Sequence, residues 1–260
     1  MSARLLVIQH EDDAPPAWWG DWLEAAGTEL TVVHAHRGEP VPGDLSGYDG
    51  LLVLGGAMGA SDDELCPWLT PTKRLIADTV RGAEKVFLGI CLGHQLAAVA
   101  LGGAVSRNPA GRALGLTTVA LTEAGRRDPW LRQIDPAARA VQWNDDIVTT
   151  MPAHSTVLAV APDGSIQAAR FGPLAWGVQF HPEVSPDVFA SWGIATAKSD
   201  QHANDTQQVE AVASQVSAAE SELRATWQPV AEALASIIAA TGHRAPRLTS
   251  QGAAPDWWGP

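Results

Sequence analysis

The run Val86-Phe87-Leu88-Gly89-Ile90-Cys91-Leu92-Gly93-His94-Gln95-Leu96-Ala97 changes character halfway along. Its first half is apolar with no polar alternation, the pattern of a strand buried on both faces in a parallel sheet. From Leu92 onward the pattern is that of a helix with small and apolar residues on its inner face. One cysteine stands at the junction. Gly89 and Gly93 flank it two residues away on each side, the spacing of the G-x-S-x-G elbow with sulfur in place of oxygen. So sharp a turn holds its nucleophile in strained backbone, and the glycines let neighbouring backbone pass close by. The helix begins at the sulfur, so its first N–H groups and its dipole favour thiolate over thiol. Taken alone, Cys91 reads equally well as a small buried hydrophobe.

A second apolar strand far downstream, Trp176-Gly177-Val178-Gln179-Phe180-His181-Pro182-Glu183-Val184, ends in a histidine and a glutamate, with a proline between them that stops the strand. A cysteine, a histidine to take its proton and a carboxylate to orient the histidine are the parts of an activated-thiol triad.

Gly89-Ile90-Cys91-Leu92-Gly93-His94-Gln95 and Gln179-Phe180-His181-Pro182-Glu183-Val184, in this order, resemble the class I glutamine amidotransferase family over about residues 4 to 195. The resemblance implies a catalytic triad of Cys91, His181 and Glu183. Gly55-Gly56-Ala57-Met58 stands where the family has its Gly-Gly-Pro loop, which implies an oxyanion hole made by the N–H groups of Gly56 and Leu92. Such donors are worth roughly 2.7–4 kcal/mol each. Ala57 in the proline position removes no required donor. The resemblance also implies substrate contacts from Gly55, Gln95, Trp143, Asp145 and Asp146. Of these, Trp143 to Asp146 lie in Gln142-Trp143-Asn144-Asp145-Asp146, a stretch that in relatives reads Trp-His-Gly-Asp and holds the α-amino and α-carboxylate groups of glutamine. Here Asn144 replaces the histidine and Asp145 the glycine. The added carboxylate is expected to hold an ammonium group and to repel a carboxylate.

The rest of the chain sets these motifs in an α/β frame. Leu5–Ile8, Leu30–His34 and Gly50–Leu54 read as strands, with a helix through Trp18, Trp19, Trp22 and Leu23 that Gly27 ends. Thr70-Pro71 reads as N-cap and first position of a helix running to Gly82. Residues 104–150 carry short β-rich runs, among them Thr117–Leu121 and Ala140–Trp143, that either extend the sheet or form an antiparallel annex. Ile166–Arg170 and Ala175–Phe180 read as a hairpin that delivers His181. The fold class expected is an open, mostly parallel sheet with helices on both faces, layered like flavodoxin, plus a C-terminal helical extension. His10 follows the first strand at its carboxyl end, where such folds place ligands; otherwise a lone loop histidine is solvated. The divisions expected are 1–195 for the amidotransferase-like domain, 196–243 for two amphipathic helices packed on it or on a second copy, and 244–260 for a Pro/Gly-rich tail ending Trp257-Trp258.

The 260 residues are ample for a core, and a formal charge of −12 argues against a nucleic-acid or anionic-membrane surface. Two cysteines point to a reducing compartment, and without a signal-peptide core or a membrane-length apolar run the expected location is cytoplasmic. No metal or organic cofactor is needed for hydrolysis by such a triad. Three functions are compatible with these residues. One is release of ammonia from glutamine through a γ-glutamyl thioester, for a separate synthetase or acceptor enzyme. The second is a stand-alone γ-glutamyl hydrolase or peptidase, and the third a binding module that kept the fold and lost turnover.

Overall fold

The computed structural model describes residues 2–197 and 206–242; the expected tail 244–260 lies outside the described residues. The chain runs β1 (Ala3–Gln9), α1 (Ala17–Ala25), β2 (Thr28–His34), β3 (Gly50–Val53), α2 (Leu69–Gly82), β4 (Val86–Ile90) and α3 (Leu92–Ala100). There follow β5 (Ala104–Arg107), β6 (Ala113–Thr118), β7 (Ala120–Leu121), α4 (Glu123–Arg127), β8 (Arg139–Asn144) and β9 (Asp146–Thr150). The last elements are β10 (Thr156–Val160), β11 (Ile166–Gly172), β12 (Ala175–Val178), α5 (Pro186–Ala197), α6 (Thr206–Ala218) and α7 (Glu220–Gly242).

Eight strands form one sheet in the order β2-β1-β3-β4-β12-β11-β10-β7. The pairs from β2 to β12 are parallel, and those from β12 to β7 are antiparallel. Helices cover both faces, and two apolar clusters fill the space on either side. β4 and β12 are neighbours, with Ile90 beside Val178. Parallel pairing therefore brings the residues that follow each strand, Cys91 and His181, out at the same edge. Gly89 and Gly177 face each other in that ladder. A Cβ on Gly177 would stand 2.5 Å from the His94 Nδ1 atom, so this glycine is what lets the His94 ring of α3 lie against the sheet.

Both alternatives for residues 104–150 are realised. β7 extends the main sheet through β10, while β5 with β9 and β6 with β8 make two antiparallel ribbons beside it. The expected single run Thr117–Leu121 is divided, because Val119 turns inward and its N–H bonds to the Ala138 carbonyl. α2 starts at Leu69, earlier than the Thr70-Pro71 signal places it. Thr70 does not cap the helix; its hydroxyl donates to Asp63 at 2.6 Å.

The C-terminal helices pack on the domain itself. Trp227 of α7 is 1% exposed, its ring centroid 4.8 Å from that of Phe180, and its indole N–H donates to the Arg139 carbonyl at 3.0 Å. The Trp130 indole N–H reaches the Val230 carbonyl at 3.0 Å, and Arg139 and Glu222 form an ion pair across the same seam. α7 thus completes the core beneath the strand that delivers His181, and the extension is structurally continuous with the domain. Trp227→Ala is expected to cost about 3–5 kcal/mol, the usual range for emptying a buried aromatic site. Urea denaturation followed by far-UV circular dichroism measures it.

Candidate active site

Cys91 sits at φ 49°, ψ −104°, between strand and helix. A side chain at positive φ costs of order 1–3 kcal/mol, and the surroundings hold it there. The Cys91 N–H donates to the Val178 carbonyl at 2.8 Å, and the Cys91 carbonyl accepts from the Gln95 N–H at 3.1 Å. Close backbone packing makes the flanking glycines obligatory. A Cβ on Gly93 would lie 2.1 Å from the Val53 carbonyl oxygen, and one on Gly89 would lie 2.4 Å from the Gly93 carbonyl.

His181 lies across from this turn, its N–H bonded to the Val141 carbonyl at 2.8 Å. Its Nδ1 is 2.8 Å from Glu183 Oε1. The Trp18 N–H at the start of α1 donates to the Glu183 carbonyl at 3.1 Å and fixes that turn. The Trp192 ring packs edge-on against the imidazole, with centroids 4.8 Å apart. Cys91, His181 and Glu183 are 6%, 5% and 3% exposed, so little water screens them. Burial lowers the His181 pKa, but the Glu183 carboxylate and Cys91, through charge and hydrogen bonds, outweigh it and raise the value to about 10. The second oxygen of Glu183 has no partner among the described residues. Gln179, which sequence reasoning passed over, donates its side-chain amide to Cys91 Sγ at 3.6 Å.

The Gly55–Met58 loop closes over the sulfur from the end of β3. A Cβ on Gly55 would stand 3.0 Å from His181 Cε1, and one on Gly56 would meet Met58 Sδ at 2.6 Å and Leu92 Cδ2 at 3.1 Å. Gly56 and Leu92 are therefore neighbours beside Cys91. His10 stands behind this loop and is fully buried, which corrects the solvated alternative. Its Nδ1 accepts from the Trp68 indole at 3.1 Å, and burial, then the nearby His36, push its pKa down to about 3. It wedges the loop as a neutral ring.

A cavity of about 350 Å³ opens above the cysteine. Gln95, Trp143, Asp145 and Asp146 all line it, as does Gly56, whereas Gly55 and Leu92 lie behind the wall. The Gln95 amide is held by the Asp146 carbonyl at 2.9 Å and by Gln179 Oε1 at 3.3 Å. The Trp143 ring meets Phe189 and Trp192 at 5.1 and 5.7 Å between centroids. Asp145 departs from the expectation of a carboxylate waiting for an ammonium group. Arg112 grips it with Nε at 3.0 Å and Nη2 at 2.9 Å, and Arg107 stands 3.4 Å away. Its charge is matched within the protein. The ribbon register that sets Ala113 opposite Asn144 creates this pairing, and only a correct strand alignment would have shown it.

Glu11 and Asp13, on the loop between β1 and α1, also line the cavity and were not singled out in the sequence. Burial and the charge of Asp13 raise the Glu11 pKa, partly offset by the Ala57 N–H and by His181. Among the described residues no group of three or more His, Cys, Asp and Glu side chains could hold a metal ion.

The glutamine amidotransferase class-I family model matches residues 21–192. The glutamine amidotransferase-like protein YfeJ of Salmonella typhimurium is 30% identical over 188 residues, covering 71% of this chain and 77% of that protein. Gamma-glutamyl peptidase 5 of Arabidopsis thaliana is 28% identical over 147 residues, 56% of this chain and 57% of its own. The crystal structure of a glutamine amidotransferase from Thermotoga maritima superposes with a TM-score of 0.79 at 25% identity, over 92% of this chain and 98% of that one. With the family model spanning most of the sheet and both of its motif-bearing strands, the chain belongs to the class I glutamine amidotransferase family.

Proposed function

We propose that the protein hydrolyses the γ-amide bond of γ-glutamyl compounds through a thioester on Cys91. The observation that carries this reading is the buried contact chain from Glu183 through His181 to Cys91 at the base of an open cavity. In the free enzyme the raised His181 pKa keeps an imidazolium beside the sulfur at neutral pH. Cys91 Sγ, whose proton His181 holds, attacks the γ-carbonyl carbon, forming the C–S bond and moving the carbonyl π pair onto oxygen. The N–H groups of Gly56 and Leu92 receive that charge. Collapse breaks the C–N bond, and His181 gives its proton to the departing nitrogen. The neutral imidazole then takes a proton from water as the oxygen attacks the thioester carbon, and collapse breaks the C–S bond, returning the sulfur as thiolate beside the imidazolium. One water is consumed, and one amine and one glutamate are released. Glu183 holds the His181 ring in place throughout and fixes its tautomer when it is neutral, and Gln95, Trp143, Asp145 and Asp146 form the wall against which the γ-glutamyl end lies.

Glutamine is the smallest such amide; its leaving group is ammonia, which a separate acceptor enzyme would consume. Larger amides share the same bond. A cavity of about 350 Å³ favours them, because cavities of roughly 300 Å³ upward already take drug-sized ligands. The similarity to a γ-glutamyl peptidase points the same way. Glutamate release from glutamine and from a set of γ-glutamyl amides, against α-glutamyl amides of the same amines, tests the reading. Turnover confined to γ-linked compounds is expected; equal turnover of α-linked compounds would overturn it.

The two free thiols supply an internal control for nucleophile activation. Burial and Asp62 push the Cys66 thiol up, which slows it. Iodoacetamide should therefore label Cys91 before Cys66, as read by peptide mass mapping, and His181→Ala should abolish that order. Titration supplies a further test. A His181 pKa raised from 6.5 to about 10 means that the imidazolium persists through neutral pH and is lost only as pH climbs through that value. Its contribution to stability is full below about 6.5 and disappears through the same alkaline range. The alkaline limb of kcat/KM should fall near pH 10 and not near 7.

A further inference from the structure

Chemistry fixes which way the leaving group points. Under the function proposed above, on which this inference rests, the amine departs on the side of His181, because that imidazole delivers its proton. Trp192 packs against His181, Glu11 is close enough to feel the His181 charge, and Asp13 lines the same cavity. The Trp192 indole N–H is fixed by the Asp13 carbonyl at 2.7 Å, so the aromatic edge and the acidic loop form one surface. Among the described residues no lysine or arginine pairs with Glu11 or Asp13. Two half-buried carboxylates on one loop repel each other, and after burial that repulsion is the next reason Glu11 holds its proton more tightly than an ordinary carboxyl, with the His181 charge offsetting it only in part. The lining from β8 and β9 differs. There Asp145 is matched by Arg112 and Arg107, and Asp146 lies 3.8 Å from Arg107. Among the described residues, the cavity carboxylates with no lysine or arginine partner are thus Glu11 and Asp13.

A second observation is independent of those acids. Asn144 is 6% exposed and lines the same cavity. Its side-chain N–H donates to the Asp146 carbonyl at 3.1 Å, while its Oδ1 is buried with no partner. A buried acceptor left unmatched costs about 1–3 kcal/mol, and a ligand N–H would relieve it. The cavity therefore has an unmatched acceptor at Asn144 and, among the described residues, two carboxylates at Glu11 and Asp13 with no lysine or arginine partner.

We propose that the substrates are γ-glutamyl amides of amines carrying a second positive charge, of the diamine or polyamine class, with the distal ammonium held between Glu11, Asp13 and the Trp192 ring and with Asn144 Oδ1 accepting an N–H of the γ-glutamyl end. An anionic leaving amine would meet the same two carboxylates and be repelled. A neutral alkylamine of equal length would bury its chain but leave the carboxylates unmatched.

The experiment is a charge series at fixed length: γ-glutamyl conjugates of 1,4-diaminobutane, n-pentylamine and 4-aminobutanoate, with glutamine beside them, each characterised by kcat/KM for glutamate release. The diamine conjugate is expected to exceed the alkyl conjugate at least tenfold and the acid conjugate by more, with the advantage shrinking as salt is raised. In E11Q/D13N the ratio of diamine to alkyl conjugate should fall toward one. Calorimetric binding of the same three conjugates to Cys91→Ala, in which none is consumed, should give the same order and stands even where the double variant does not fold. Hydrolysis of all three at equal efficiency, or with the acid conjugate preferred, overturns the cationic assignment and leaves the proposed function intact. Absence of glutamate release from every conjugate and from glutamine overturns both.

Discussion

Cys91→Ala is expected to abolish γ-glutamyl amide hydrolysis, with a fall in kcat of about 10⁴-fold or more, as removal of a covalent nucleophile does where its triad acts as a unit. The loss should not come from unfolding. The side chain is small and buried, and alanine retains the backbone contacts from the Cys91 N–H to Val178 and from the Gln95 N–H to the Cys91 carbonyl. Alanine also retains the strain of φ 49°. Glycine does not, because it adopts positive φ without penalty. Cys91→Gly should therefore be equally inactive yet more stable than Cys91→Ala by about 1 kcal/mol, within the range attributed to such strain. Paired activity assays and thermal melts on the two variants read both quantities. A Cys91→Ala protein that kept near wild-type turnover would remove the cysteine from the mechanism, and equal melting of the two variants would remove the strain.

The second large effect concerns the turn itself. Gly93→Ala would put a methyl group 2.1 Å from the Val53 carbonyl oxygen and 3.1 Å from the Val53 Cβ atom. Neither belongs to a flexible chain end; relief requires α3 to move away from β3, in the most buried layer of the fold. A loss above about 4 kcal/mol is expected, beyond the ordinary range for one substitution. Gly82→Ala is the matched control. It lies in α2, and a Cβ there meets nothing within 4 Å, so it should be neutral or slightly stabilising through helix propensity. Chemical denaturation of the two variants checks the contrast. Because Gly93 sits two residues from the sulfur, any Gly93→Ala protein that folds should also lose its alkylation order.

The difference between these positions was legible in the sequence, because local pattern specifies it. An apolar run, a cysteine and two flanking glycines lie within a few residues, and the strand that delivers His181 and Glu183 carries its own stop signal at Pro182. Parallel strands buried on both faces announce themselves as unbroken apolar runs, which is why β1, β3 and β4 were visible. What stayed hidden depends on pairing between distant segments. Arg112 meets Asp145 only through the ribbon of β6 and β8, so a carboxylate that looks vacant in the sequence is matched in the fold. Glu11 and Asp13 read as ordinary loop acids until β1 places their loop over His181. His10 looked like a loop histidine because nothing near it in sequence predicts that Trp68 will cover it. The apolar face of Trp227, Leu234 and Ile238 was legible as an amphipathic helix, but its period does not say which surface it covers, this domain or a second copy. At Thr70-Pro71 a genuine capping pattern was overruled, since Asp63 competes for the threonine hydroxyl and the helix gains an earlier buried residue at Leu69.

The measurement that bears most directly on the central claim is mass spectrometry of protein quenched in acid during turnover of a γ-glutamyl amide, followed by peptide mapping. An added mass equal to one γ-glutamyl group is expected on the peptide that carries Cys91, absent from Cys91→Ala and cleared when substrate is exhausted. Steady release of glutamate with that peptide never modified, at quench times shorter than a single turnover, would contradict it.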